Sequence, residues 1–145
     1  MDCTFCSNNF EYAVLKEYKK WSTQLFVDDQ YYLGRSVVVL KNRHAVDINE
    51  LKEKEREELF NKALPDLKRA LSLFSSPDFY NYCSLGNGCE HFHLHVIPRY
   101  ESKRYFKQKC FEDEYFGKNY SQNYERVELQ KKDFEDLRDI LKMLI

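Results

Sequence analysis

Five stretches of the chain carry apolar residues with the short period of a strand. Residues 12–16 and 21–27 predict two short strands, the second closed by the turn-like Asp28-Asp29-Gln30. Gly34 leads into Ser36-Val37-Val38-Val39-Leu40, whose β-branched run predicts a central strand. Residues 79–85 return to strand character, and after the turn Gly86-Asn87-Gly88 a further strand is expected over 91–99. The connections are mostly short and polar, which favours antiparallel pairing, because parallel strands need long crossovers.

Two segments change period. Across residues 49–74, Leu51, Leu59, Ala63, Leu67, Leu71 and Phe74 fall mostly four apart, the spacing of one helix face, and the other face mixes Lys, Arg and Glu. Pro65 interrupts this pattern. It removes a backbone donor and clashes with the preceding turn, so a kink or two abutting helices are expected there. Phe134, Leu137, Ile140, Leu141 and Leu144 mark a C-terminal amphipathic helix. Between them, residues 101–128 are polar and aromatic with weak periodicity, and a long, loosely ordered excursion is expected. The pattern predicts one α+β domain over residues 1–145, an antiparallel sheet of about five strands with a long helix and a C-terminal helix.

Composition narrows what such a domain does. The 145 residues suit a single core, and the net charge of −1 argues against a broad contact with DNA or RNA, whose affinity comes largely from basic residues on phosphates. No apolar run approaches the roughly 20 residues that span a bilayer, so no membrane partner is expected. The start Met1-Asp2-Cys3-Thr4-Phe5-Cys6 carries no secretory signal pattern, and five cysteines make an odd number. A reducing, cytoplasmic setting follows, with cysteines as ligands or small core residues. Cys3 and Cys6 have the spacing that grips a tetrahedral metal ion or forms a redox pair.

The densest chemistry lies in His91-Phe92-His93-Leu94-His95-Val96-Ile97-Pro98-Arg99, which holds three of the four histidines. In a strand, alternate side chains leave the same face, so the three imidazoles point one way, with Phe92, Leu94 and Val96 toward a core behind them. Burying three imidazoles without partners is costly, and packing alone explains the row poorly. Residues two apart on a strand lie about 6.6 Å apart, which puts His91 and His95 about 13 Å apart at their backbones. Zinc–nitrogen bonds are only about 2.0–2.1 Å, so one ion takes two neighbours at most and at least one imidazole has another task. A neutral histidine serves as nucleophile or general base, and the adjoining glycine turn offers backbone N–H groups to phosphate oxygens.

The run His91-Phe92-His93-Leu94-His95-Val96-Ile97 resembles the motif of the histidine-triad (HIT) superfamily. The resemblance extends through Asn81, Leu85-Gly86-Asn87, the strand leading to His44 and the N-terminal Cys3–Cys6 pair, so it covers about residues 1–100. It implies a nucleotide hydrolase acting at the α-phosphate of dinucleoside polyphosphates or nucleoside phosphoramidates. By motif position, His93 is the nucleophile that forms a transient nucleotidyl-histidine, and His95 bonds the phosphate and assists charge and proton movement. Asn81, Asn87 and Gly88 fall near positions that contact phosphate, and Asp28 near one that holds ribose hydroxyls. Likeness to the zinc-bearing branches implies a closed structural Zn2+ site of Cys3, Cys6, His44 and His91, and likeness to the family implies a homodimer. The chain departs from the common pattern at Gly86-Asn87-Gly88, which lacks a hydroxyl, at Gly34-Arg35-Ser36, where many relatives carry Gly-His, and at Lys41 in place of a proline. These departures leave three alternatives open: a nucleotidyltransferase or phosphorylase, a nucleotide-binding regulatory module, and a metallohydrolase with its ion on His91 and His93.

Overall fold

Residues 3–145 are described by a computed structural model. Five strands form one antiparallel sheet: β1 (Val14–Glu17), β2 (Trp21–Leu25), β3 (Ser36–Leu40), β4 (Phe79–Cys83) and β5 (His93–Arg99), in the order β1-β2-β3-β5-β4. The chain leaves the sheet after β3, returns at the edge as β4, and inserts β5 between β3 and β4. The histidine strand is therefore interior, held by neighbours on both sides. Every residue of β2 and β3 is buried, because both faces of the sheet are covered there.

Alternation sorts those faces. Trp21, Leu25, Val38, Leu40, Phe92 and Val96 join one core with the helices. The predicted helix over 49–74 exists in pieces: a 3₁₀ turn at Ile48–Glu50, α1 (Glu53–Glu58), a π turn at Leu59–Ala63 and α2 (Leu64–Ser75). Pro65 is the cause. It has no N–H to give the preceding turn, and the wider π turn just before it accommodates the missing bond, as such insertions do at kinks. The predicted apolar face survives the break, with Leu59, Ala63, Leu67 and Leu71 essentially inaccessible. Trp21 Nε1–H donates to the Glu55 carbonyl at 2.8 Å, tying β2 to α1. The C-terminal helix α3 (Lys131–Leu144) adds Leu137 and Leu141 to the same core. Gly34 makes the entry to β3. Its φ is +86°, and a Cβ there would stand 2.8 Å from Leu71 Cδ2, so only glycine fits.

Residues 101–128 are more ordered than their composition predicts. Two short strands, β6 (Arg104–Phe106) and β7 (Lys109–Phe111), pair as a hairpin whose turn residues Lys107 and Gln108 both adopt positive φ. That turn shape usually selects Asn-Gly, so the sequence carries no sign of it. Beyond the hairpin, buried Asp113 accepts from Arg99 Nε at 2.7 Å and Nη2 at 3.2 Å, fastening the segment to the end of β5. Tyr124 stacks on Tyr31 with ring centres 3.9 Å apart, and Tyr32 exchanges hydrogen bonds with Ser121. Among the described residues, no helix is long and apolar enough to cross a membrane.

Candidate active site

The face of the sheet opposite the helices carries the chemistry. Pairing places Val39 opposite His93, and Gln24, Val37, His95 and Cys83 in one row across four strands. A cavity of about 420 Å³ opens over this face, walled by Phe5, Phe26, Arg35 and Tyr124 and floored by His93 and His95. Asp28, Asn87 and Gly88 also line it. The Asp28 side chain is exposed there and makes no protein hydrogen bond among the described residues.

Hydrogen bonding fixes a different state for each triad imidazole. His93 Nδ1 lies 2.7 Å from the His91 carbonyl, which only accepts, so the proton sits on Nδ1 and Nε2 keeps a lone pair. His95 Nδ1 lies 3.2 Å from Arg35 Nη2, which only donates, so in His95 the proton of the neutral ring sits on Nε2. One ring offers a lone pair to the cavity and its neighbour offers an N–H, with ring centres 5.0 Å apart. Both stay neutral. Burial lowers the His93 pKa, and burial reinforced by the Arg35 charge and by competition with the neighbouring His93 for a proton pushes His95 down to about 3.

His91 has turned to another task. It precedes β5 rather than belonging to it: the Phe92 carbonyl still accepts from the Leu40 N–H at 3.3 Å, but the Phe92 N–H turns away and donates to the Ala45 carbonyl at 2.6 Å. His91 Nε2 lies 2.7 Å from the Leu40 carbonyl, so that nitrogen holds the proton and Nδ1 is free to ligate. Nδ1 faces Cys3 Sγ at 3.5 Å and Cys6 Sγ at 3.3 Å, and His44 Nδ1 lies 3.7 Å from Cys6 Sγ. The four ligand atoms of Cys3, Cys6, His44 and His91 all lie within 4.8 Å of one another. A tetrahedral ion with zinc-type bonds spaces such donors about 3.3–3.8 Å apart, so the set fits with slight contraction. Of the two thiols Cys3 is the one poised to ionise, since burial and the neighbouring Cys3 raise the Cys6 pKa. Burial works to raise the Cys3 pKa, but hydrogen bonds from Cys6 and Phe5 outweigh it and bring it to about 7.

The structure thus brings together His93, His95, Asp28, Asn87 and Gly88 at the cavity, and Cys3, Cys6, His44 and His91 beside it. Asn81 is the exception. It does not line the cavity; it pairs with Ile97 farther along β4, and its Oδ1 accepts from Arg99 Nη1 at 2.6 Å. The phosphate contact expected of Asn81 does not fit this placement. Sequence reading also gave no role to Phe5, whose ring packs against His91 and His93 at 5.8 and 5.0 Å, nor to Cys89, whose sulfur lies 3.9 Å from that of Cys3. Arg35 had one signal, its departure from the Gly-His pattern.

No protein-family profile matches the sequence, and no curated protein does. Solved structures do. A HIT family protein from Bacillus anthracis is 26% identical over 70% of this chain and 75% of its own, with a TM-score of 0.61. A hypothetical histidine triad nucleotide-binding protein from Sulfolobus tokodaii is 22% identical over 97% of this chain and 90% of its own, with a TM-score of 0.69. This chain has the histidine-triad fold. A Zn-bound histidine triad family protein from Mycobacterium smegmatis is also similar, 20% identical over 99% of this chain and 96% of its own, at a TM-score of 0.62. Within the HIT fold, β5 carries the triad residues His93 and His95, and the cysteine–histidine cluster sits at its N-terminal end.

Proposed function

We propose that this HIT-fold protein is a nucleotide hydrolase acting at the α-phosphate through a covalent nucleotidyl-histidine. The observation that carries the reading is the pairing of tautomers in the cavity: a lone pair on His93 Nε2 beside an N–H on His95 Nε2. In the first step Nε2 of His93 attacks phosphorus, a nitrogen–phosphorus bond forms, and the bond to the leaving group breaks with its electron pair departing. The imidazolium so formed keeps its Nδ1–H on the His91 carbonyl, which disperses the new positive charge. His95 donates a hydrogen bond to a phosphate oxygen as charge builds on it. In the second step water attacks phosphorus, the nitrogen–phosphorus pair returns to His93, and the proton of the water goes to solvent. In this reading Asn87 and Gly88, which line the cavity, contact phosphate oxygens, and the carboxylate of Asp28 holds ribose hydroxyls.

Cys3, Cys6, His44 and His91 hold a structural Zn2+ in this reading. Four protein ligands leave no open position, so the ion supplies cross-linking rather than Lewis acidity. It ties residues 3–6 to the start of β5, sets the His91 carbonyl that holds His93, and seats Phe5 against the His93 ring. The name of the Sulfolobus relative and the zinc of the Mycobacterium one are in keeping with both parts. The chain is also proposed to act as a homodimer, measurable by light scattering. The function is tested by incubating wild type and His93→Ala with diadenosine polyphosphate and with adenosine phosphoramidate. Turnover by wild type and a loss of about 10³-fold or more in the variant is expected. Equal turnover by both proteins refutes the assignment of His93.

A further inference from the structure

Arg35 is the anomaly of the cavity. It is 4% exposed, yet no carboxylate among the described residues lies within ion-pair distance. Its Nε and the Oε1 of Gln24 are the two buried side-chain polar atoms without a partner among the described residues, and both residues line the cavity. The guanidinium is otherwise held by His95 Nδ1 at 3.2 Å, by a long 3.5 Å contact to Tyr124 Oη, and by the Phe26 ring 4.0 Å from its carbon. Along this path the acid is Asp29, which accepts from the Tyr124 hydroxyl at 2.9 Å and from the Tyr31 N–H at 2.7 Å but not from Arg35. A buried cation without a counter-charge costs several kcal/mol, and a ligand anion offsets that cost.

Position says which anion. The alternation that sets Val39 opposite His93 and Val37 opposite His95 places Arg35 next in line. The cation therefore lies beyond His95, away from the nucleophile. In-line attack by His93 sends the leaving group to the far side of phosphorus. The same contact makes His95 a poor acid: with Arg35 donating to its Nδ1, a second proton has no place on the ring. A leaving group that departs as an anion suits this site, whereas an amine must collect a proton. We infer that Arg35 forms a subsite for a second phosphate, so that the preferred substrates are nucleotides whose α-phosphate bears another phosphate, over phosphoramidates.

This inference rests on the hydrolase reading for its substrate orientation, but its test does not depend on turnover alone. Wild type, Arg35→Lys and Arg35→Gln are compared for the dissociation constants of AMP and ADP, and for kcat/KM on diadenosine triphosphate and adenosine phosphoramidate. Thermal unfolding checks that each variant folds, and the lysine variant keeps the charge if the glutamine variant does not fold. Wild type is expected to bind ADP about tenfold more tightly than AMP. Arg35→Gln should erase that preference, changing AMP by less than about threefold, with Arg35→Lys in between. Polyphosphate kcat/KM should fall about 1000-fold in Arg35→Gln and phosphoramidate kcat/KM about tenfold, the shared tenfold coming from loss of the donor that holds His95. Equal losses on both ligand classes, or an ADP preference that survives Arg35→Gln, overturn the subsite. An Arg35-dependent ADP preference without turnover upholds the subsite while the hydrolase reading fails. Turnover that needs His93 but ignores Arg35 does the reverse. Wild type that binds neither nucleotide overturns both.

Discussion

Replacing Asp113 with alanine should cost this protein more stability than any surface change. The carboxylate is 1% exposed and the Arg99 guanidinium it faces is 3% exposed. It accepts from Arg99 Nε at 2.7 Å and Nη2 at 3.2 Å, and from the backbone N–H groups of Tyr100 at 3.3 Å and Tyr115 at 3.1 Å. Removing it leaves a buried cation with only neutral acceptors: Asn81 Oδ1 and the carbonyls of Tyr115 and Lys118. Breaking one side of a buried pair costs about 3–5 kcal/mol. For a domain of this size each kcal/mol moves the midpoint by roughly 2–4 °C, so Tm should fall by roughly 10 °C. Urea unfolding followed by the fluorescence of Trp21, the single tryptophan and fully buried, gives the free energy from the midpoint at constant slope. Asp113→Asn keeps one acceptor and should lie between. A loss under about 1 kcal/mol for the alanine variant would refute the idea that this pair fastens residues 101–128 to the sheet.

Three further outcomes follow from the same structure. One zinc per chain is expected on metal analysis, lost in Cys3→Ser and Cys6→Ser together with several kcal/mol of stability; unchanged metal content in both variants contradicts the site. Burial, Arg35 and His93 hold the folded His95 pKa near 3, below the ordinary histidine value of about 6.5, so the unfolded chain takes up the proton first. The stabilising contribution is complete above about pH 6.5 and is lost as pH falls toward 3, by up to about 1.4 kcal/mol per pH unit. His95→Gln should flatten that part of the Tm–pH curve, and an unaltered curve counts against the neutral, buried imidazole. Gly34→Ala should cost about 1–3 kcal/mol in urea unfolding, since alanine is strained at φ +86° and its Cβ meets Leu71; a neutral substitution refutes the close approach.

Much of the fold was legible because its signals are local. The β-branched run at Val37-Val38-Val39, the four-residue spacing from Leu59 to Leu71 and the break before Pro65 each act within one turn or one strand. The cysteine pair, His44 and the triad were legible as chemistry through their likeness to the HIT motif. What escaped depends on long-range partners. The hairpin turn at Lys107-Gln108 uses residues that ordinarily avoid positive φ, and its order comes from Asp113 docking on Arg99. Asn81 shares the cavity face of the sheet but lies past its end, and Arg99 captures its side chain. The partnerless Nε of Arg35 is invisible in any one-dimensional reading, because it is defined by groups that are absent around it.

The central claim is that His93 Nε2 becomes covalently bound to phosphorus. Alkaline quenching of the protein during turnover of a diadenosine polyphosphate, followed by peptide mass spectrometry with an acid-treated sample as the control, tests it directly. The account predicts an added nucleotidyl mass on the peptide containing His93, stable to base, labile to acid, and absent from His93→Ala. Turnover with no such adduct under conditions that preserve phosphoramidate bonds, or an adduct on another residue, would contradict it.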